Sequence, residues 1–417
     1  MALSIKECKL NNETRVKLLL KDSVPVYWPC LYILKKMRVR SPNTQQRFLS
    51  DLLVFLSWLQ AENIDLEFRL KQRPNPLYLS ESELARFASQ AHWTRETLNK
   101  LASGVKLHAT AFRQVGASQA ESRMITTKNY LSFLYEAMGL PDNRMEHILW
   151  MVKRIDLSIK ESRPAWRRKP IEPKGLTVQQ EDVLLNKLYP DSDDNPWPRS
   201  EALRVRNYLI VLLLFSLGIR RSEMLGIKLV DIDYRQNRIQ IIHRPNDPDD
   251  PRLSEPGVKT NERKLPVTEQ LMALINRYVE KHRGSKRAKT HPYLLLAHGK
   301  TEGAPLSIKS VDAVFNTAKK AFPVLNGVTP HSFRHHDVYK TVSMISEQTK
   351  GLPIEDRMQR ERRVLTYKYG WSDTSDMPNL YGQKYHQEEA DRAMELRNNN
   401  LLRSYTLGSN EGGEGAK

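Results

Sequence analysis

The sequence predicts a mainly α protein of two domains, with a small antiparallel β-sheet in the second. The chain has 417 residues, more than one hydrophobic core usually serves. Apolar residues at helical spacing dominate both halves, whereas strand-like runs are few and short. A basic, proline-rich stretch, "SRPAWRRKPIEPKG" at 162–175, fits neither pattern and reads as a linker. The plan is therefore a short extension over 1–24, a helical domain over 25–161, the linker 162–175, a second domain over 176–405 and a disordered tail over 406–417.

In the extension, "SIKECKLNNETRVKLLLK" alternates around Asn11 and Asn12 and is a candidate hairpin. "SPNTQQRFLSDLLVFLSWLQAENIDL" offers Ser41 as N-cap and Pro42 at the first helical position, then sets Phe48, Leu52, Phe55, Leu56 and Leu59 at helical spacing. "SESELARFASQ" and "RETLNKLASGVKLHATAFRQV" continue as helices, and "TTKNYLSFLYEAMGL" carries Leu131, Leu134 and Met138 up to a stop at Gly139. Past the linker, Thr177 and Gln180 form a capping box. "RNYLIVLLLFSLGI" is apolar nearly all round, as a buried helix is. "RIQIIH" and "RKLPV" read as strands on either side of a loop rich in Pro and Asp; "LMALINRYVEKH" returns to helix, and "HPYLLLA" reads as a further strand.

The composition is globular, but Lys and Arg outnumber Asp and Glu by 66 to 48, a net charge of +18 that favours a polyanion such as nucleic acid. Cys8 and Cys30 are too few for a disulfide scaffold or a zinc module and suit a reducing cytosol. The start "MALSIKECKLNN" lacks the apolar stretch of a signal peptide, and no run of ~18 apolar residues occurs. The expectation is a soluble intracellular protein.

Two stretches stand out chemically. In "SLGIRRSEMLGIKLVDID", a hydrophobic helix runs into Gly218 and is followed at once by Arg220, Arg221 and Glu223. Arginine at the end of a buried helix needs a partner, and Glu223 is a candidate. In "HSFRHHDVYKTV", His331 and Arg334 stand three apart and share a face if the segment is helical. The histidine cluster invites a metal, yet a guanidinium in the first shell opposes a dication, so an anion site is the better fit.

These residues resemble the boxes of the tyrosine recombinase, or phage integrase, family. "GIRRSEMLGIKLVDID" is similar to the family's first box and "HSFRH" to its second; "YGWSDTSDMPNLYGQ" is similar to the third, with Tyr381 ten residues after Trp371. The resemblance extends over about residues 25–400. It implies an N-terminal helical core-binding domain and a C-terminal catalytic domain that together clamp duplex DNA. It implies Tyr381 as nucleophile, Arg220 and Arg334 as phosphate ligands, and His331 beside them with Glu223 and His335 in support. Arg221 would be a neighbour on the surface or on DNA. "VKTNERKLPV" resembles the family's lysine hairpin, which makes Lys259 the proton donor, with Lys264 as rival. Trp371 stands where a histidine is commoner and would donate one N–H or simply pack. Tyr385, Tyr367 and Tyr369 compete with Tyr381.

The physics agrees with this assignment. Attack of a phenolate on a phosphodiester builds charge on two non-bridging oxygens, which fixed guanidinium forks stabilise. Imidazole titrates near neutrality and suits proton exchange. A covalent 3′-phosphotyrosine keeps the ester's energy, so neither ATP nor a metal is expected. The family further implies double-stranded DNA as partner, two copies per site and four in the synapse, a bacterial cytosolic setting, and integration or excision of a mobile element. A type IB topoisomerase, a hairpin-forming resolvase or a non-catalytic DNA-binding protein would use the same scaffold differently.

Overall fold

The computed structural model describes residues 3–10, 14–72, 74–103, 105, 113–138, 144–162, 175–245, 247–252, 256–257, 260–299 and 301–408. Most of the expected linker, the turn at Asn11 and Asn12, Gly139, Lys259 and residues 409–417 of the tail lie outside them. The chain divides into two compact units, Met1–Arg167 and Arg168–Lys417.

In the first unit, strands β1 (Leu3–Lys9) and β2 (Arg15–Lys21) pair antiparallel with Leu3 opposite Lys21, and β3 (Val24–Pro25) adds to β2. Among the described residues the α-helices α1 (Tyr27–Tyr32), α2 (Pro42–Ala61), α3 (Leu66–Lys71), α4 (Glu81–Gln90), α5 (Arg95–Ala102), α6 (Ala117–Ala137) and α7 (Arg144–Ser162) follow. The strands are no appendage. Val16 and Leu19 lie in one core with Phe48, Leu49, Leu52, Phe55 and Trp58, so the extension expected over 1–24 belongs to the helical unit.

Helix α2 starts as its sequence dictates: the Ser41 hydroxyl accepts from the Thr44 N–H, and Pro42 occupies the first turn. Phe48, Leu52, Phe55 and Leu59 are buried, whereas Leu56 is only partly so. Helix α4 carries a full Ser80–Glu83 capping box. Of the helical stretch expected over "RETLNKLASGVKLHATAFRQV", α5 forms its first part, and residues 104 and 106–112 lie outside the described residues. Helix α5 stops at Ala102, before the Ser103–Gly104 pair, and the chain returns beside it where Thr94 N–H donates to Arg113 O.

The second unit holds α8 (Val178–Asp182), α9 (Glu201–Leu217), α10 (Arg221–Leu225), strands β4 (Ile232–Asp233), β5 (Arg238–Ile241) and β6 (Arg263–Pro266), then α11 (Glu269–His282), α12 (Ile308–Ala321), α13 (Pro330–Gln348), α14 (Ile354–Tyr369) and α15 (Met377–Gly408). The three strands form an antiparallel sheet in chain order, with Ile239 opposite Leu265. Helix α9 is the buried axis of this unit's core, and it ends at Gly218 in the left-handed region, φ +56°. "HPYLLLA" is not a strand. It runs between two loops that each offer only one bridge, Lys228 to Tyr293 and Pro305 to Leu296, so no ladder forms although Leu294, Leu295 and Leu296 are buried. Helix α15 continues to Gly408, past the expected limit at 405.

The Pro- and Asp-rich loop between β5 and β6 is held to this core by charge. Lys228 Nζ lies 2.8 Å from Asp247 and 2.7 Å from Asp249, the Tyr293 hydroxyl donates to Asp247, Arg244 pairs with Asp231, and Arg252 pairs with Asp250 while lying over the Tyr293 ring. Among the described residues no helix is long and apolar enough to cross a membrane.

Truncating the first unit's core should cost what a buried leucine usually does. Leu49→Ala is expected to lower the unfolding free energy by roughly 2–5 kcal/mol, measured by urea denaturation.

Candidate active site

Glu223 organises the site. It lies on α10 with 1% of its surface exposed, and each carboxylate oxygen accepts from more than one donor. Oε2 receives the Arg220 backbone N–H at 2.9 Å and Arg263 Nη2 at 2.9 Å, with Arg334 Nη1 at 3.9 Å. Oε1 receives the Thr260 hydroxyl at 2.5 Å and Arg220 Nη1 at 3.3 Å. Burial pushes the Glu223 carboxyl up, but Arg263, Arg334 and the Thr260 hydroxyl outweigh it and hold the group below the usual carboxylate range.

Arg334 sits on α13, a helix opened by Pro330, and is fully buried. Its Nη1 donates to Gly218 O at 3.0 Å and Nη2 to Tyr369 O at 2.9 Å, while the guanidinium carbon lies 4.8 Å from the Tyr369 ring centre and 5.3 Å from that of Trp371. Arg220, 26% exposed, is the more open of the two forks. Arg221 turns away to pair with Asp312 on α12. His331 is exposed and its ring stands perpendicular to that of His335 at 4.9 Å. His336 points elsewhere, buried against Phe215 and 3.5 Å from Glu181. Among the described residues, no three His, Cys, Asp or Glu side chains group as a metal ion would require.

The third box arrives at the end of α14. Gly370 caps that helix with φ +64°, accepts the Asn261 N–H at 2.9 Å, and leaves no room for a side chain, since a Cβ there would fall 2.6 Å from Asn261 O. Trp371 follows, buried, with its carbonyl accepting from Asn261 Nδ2. Arg263, on β6, was not singled out by sequence. Its guanidinium bridges Glu223, Thr260, and the Lys368 carbonyl at 2.7 Å, joining the first box, the lysine hairpin and the third box. No local pattern announces it, because all three partners are distant in sequence or reached by side chain alone.

Of the expected residues, the structure thus brings together Arg220, Glu223, Arg334 and Trp371, and pairs His331 with His335 beside Arg334 on α13. Lys259 lies outside the described residues, immediately before Thr260. Lys264 is exposed on β6 opposite Gln240. The Tyr381 backbone belongs to α15, and its side chain lies outside the described set. The other tyrosines are committed. Tyr369 is buried, and burial followed by Asp337 raises its hydroxyl well above the usual range. Tyr385 packs in a cluster with Val338, Leu365 and Trp371, and Tyr367, 59% exposed, donates to Lys264 O.

Removing the charge at the hub leaves buried guanidiniums uncompensated. Glu223→Gln is expected to destabilise the protein by roughly 3–5 kcal/mol at neutral pH in urea denaturation. Because the folded carboxyl titrates below its unfolded value of about 4.3, its contribution is complete above that value and disappears as pH falls through the folded pKa. Stability of the wild type should therefore fall more steeply below about pH 4.3 than that of Glu223→Gln, with the two curves converging in acid.

The model of the phage integrase family matches residues 185–340. The tyrosine recombinase XerC of Staphylococcus epidermidis is 30% identical over 307 residues, covering 73% of this chain and 79% of that protein. The transposase of transposon Tn916 from Enterococcus faecalis is 23% identical over 167 residues, 38% of this chain and 39% of the transposase. Among solved structures, the Tn1549 transposon integrase in complex with a circular intermediate DNA aligns with a TM-score of 0.44 at 17% identity, over 82% of this chain and 99% of that one. By its similarity to XerC over most of both chains, this protein belongs to the tyrosine recombinase, or phage integrase, family of DNA-cleaving and rejoining enzymes.

Proposed function

We propose that the protein is a site-specific DNA recombinase serving a mobile element, cutting one strand at a time through a 3′-phosphotyrosine and rejoining it to a new partner. The observation that carries this reading is the pair of guanidiniums, Arg220 and Arg334, set around the buried carboxylate of Glu223. Glu223 fixes their geometry before substrate arrives, so charge developing on the two non-bridging oxygens meets donors that need not reorganise. His331 hydrogen-bonds the phosphate or takes the Tyr381 proton, with His335 holding its ring. Trp371 stacks near Arg334 and offers an indole N–H to the phosphate, a donor that cannot exchange a proton. Lys259 protonates the leaving 5′-oxygen.

Tyr381 is the nucleophile in this scheme, and the engagement of Tyr367, Tyr369 and Tyr385 elsewhere supports it. Chemistry of this kind draws on protein cations and asks for neither metal nor ATP. The helical unit grips DNA, residues 162–175 connect it to the catalytic unit, and two copies per site assemble as four in the synapse within the bacterial cytosol. The net charge of +18 suits such a partner.

The test is selection, in EDTA, of duplexes from a randomised nicked-DNA pool that form a denaturant-stable adduct with the full chain. Tyr381→Phe should yield no adduct, and Arg220→Ala should slow its formation by about a hundredfold or more. A trapped tryptic peptide other than that of Tyr381, or a requirement for a divalent cation, overturns the assignment. Relaxation without exchange between two plasmids carrying the selected site would make the protein a topoisomerase instead.

A further inference from the structure

One buried carboxylate plays no part in the scheme above. Asp337 lies on α13 one turn beyond Arg334 and is 9% exposed. Its Oδ2 accepts the Tyr369 hydroxyl at 2.7 Å, and Oδ1 accepts from Lys368 Nζ at 2.8 Å. The same carboxylate fills the space where a Gly218 side chain would stand: a Cβ at that glycine would fall 2.2 Å from Oδ2. Gly218 and Tyr369 are the two residues whose carbonyls hold the Arg334 fork, at 3.0 and 2.9 Å. Lys368 and Thr341 close the group, with Lys368 Nζ 3.0 Å from the Thr341 hydroxyl and that hydroxyl 3.2 Å from the Tyr369 hydroxyl.

A negative charge this near an anion site would work against phosphate unless it were offset. The Lys368 ammonium offsets it. What remains is geometric: the end of α9 and the end of α14 each supply one acceptor to Arg334, and Asp337 touches both. We propose that Asp337 is a positioning residue for Arg334, fixing the spacing of the Gly218 and Tyr369 carbonyls and thereby the direction of the guanidinium fork. This rests on Arg334 being a phosphate ligand, as proposed above.

The experiment is a double-mutant cycle on full-length protein, using the duplex selected by the wild type as probe and following both DNA affinity and the single-turnover rate of adduct formation. Asp337→Ala should leave affinity unchanged while slowing adduct formation by roughly 10- to 100-fold, the order expected for a misaimed catalytic group. Asp337→Asn, which keeps the shape and one acceptor, should recover part of the rate. Asp337→Ala combined with Arg334→Ala should be no slower than Arg334→Ala alone, because a positioning residue has nothing left to position. Rates that multiply in the double variant, or an Asp337→Ala protein as fast as wild type, overturn the proposal. If Asp337→Ala does not fold, as read by circular dichroism, Asp337→Asn and Tyr369→Phe run the same cycle. Failure of the wild type itself to form an adduct would instead strike at the recombinase reading, so the two failures are distinct.

Discussion

A single carboxylate inside the second unit governs the rest of the site. Glu223 draws in Arg220, Arg263 and Arg334, whose mutual repulsion would otherwise drive them apart or toward solvent. A buried anion is costly on its own, and so is each buried cation; together, with the Thr260 hydroxyl and the Arg220 N–H filling the remaining lone pairs, they satisfy one another. The cations outnumber the anion, so the cluster keeps an unspent appetite for negative charge. A phosphodiester is a ligand of the right sign.

The neighbouring elements exist in forms that serve this arrangement. Helix α9 must end before Arg220, and the left-handed Gly218 both ends it and turns its carbonyl to Arg334. Helix α14 must end before Trp371, and Gly370 ends it, with the Tyr369 carbonyl before it accepting from Arg334 and its own carbonyl accepting from Asn261 of the hairpin. Two glycines at helix ends thus stand beside the two carbonyls that hold one arginine, and neither leaves room for a methyl group, Gly218 because of the Asp337 carboxylate and Gly370 because of the Asn261 carbonyl.

Much of this was legible from sequence where the information is local. The buried character of α9 and the capping of α2 and α8 lie in short runs whose spacing reveals them, and the first two boxes are short runs that the family resemblance picks out. Arg263 and Asp337 did not emerge, since their meaning comes from partners about forty, thirty or a hundred residues away, and an isolated charged residue in a strand or helix looks like surface. The stretch "HPYLLLA" misled because apolar residues with β-propensity are also what a buried single-bridge segment needs. The N-terminal strands misled in the other direction: a polar hairpin pattern concealed two residues, Val16 and Leu19, that complete the helical core.

The bonds between Asn261 and the Gly370–Trp371 pair carry a mechanical implication. They fasten the segment that follows Lys259 to the segment that bears the indole, through one backbone hydrogen bond and one from the Asn261 side-chain amide. Hairpin and indole are therefore yoked: a displacement that withdraws Asn261 from its place strains its bonds to Gly370 and Trp371 at the same time.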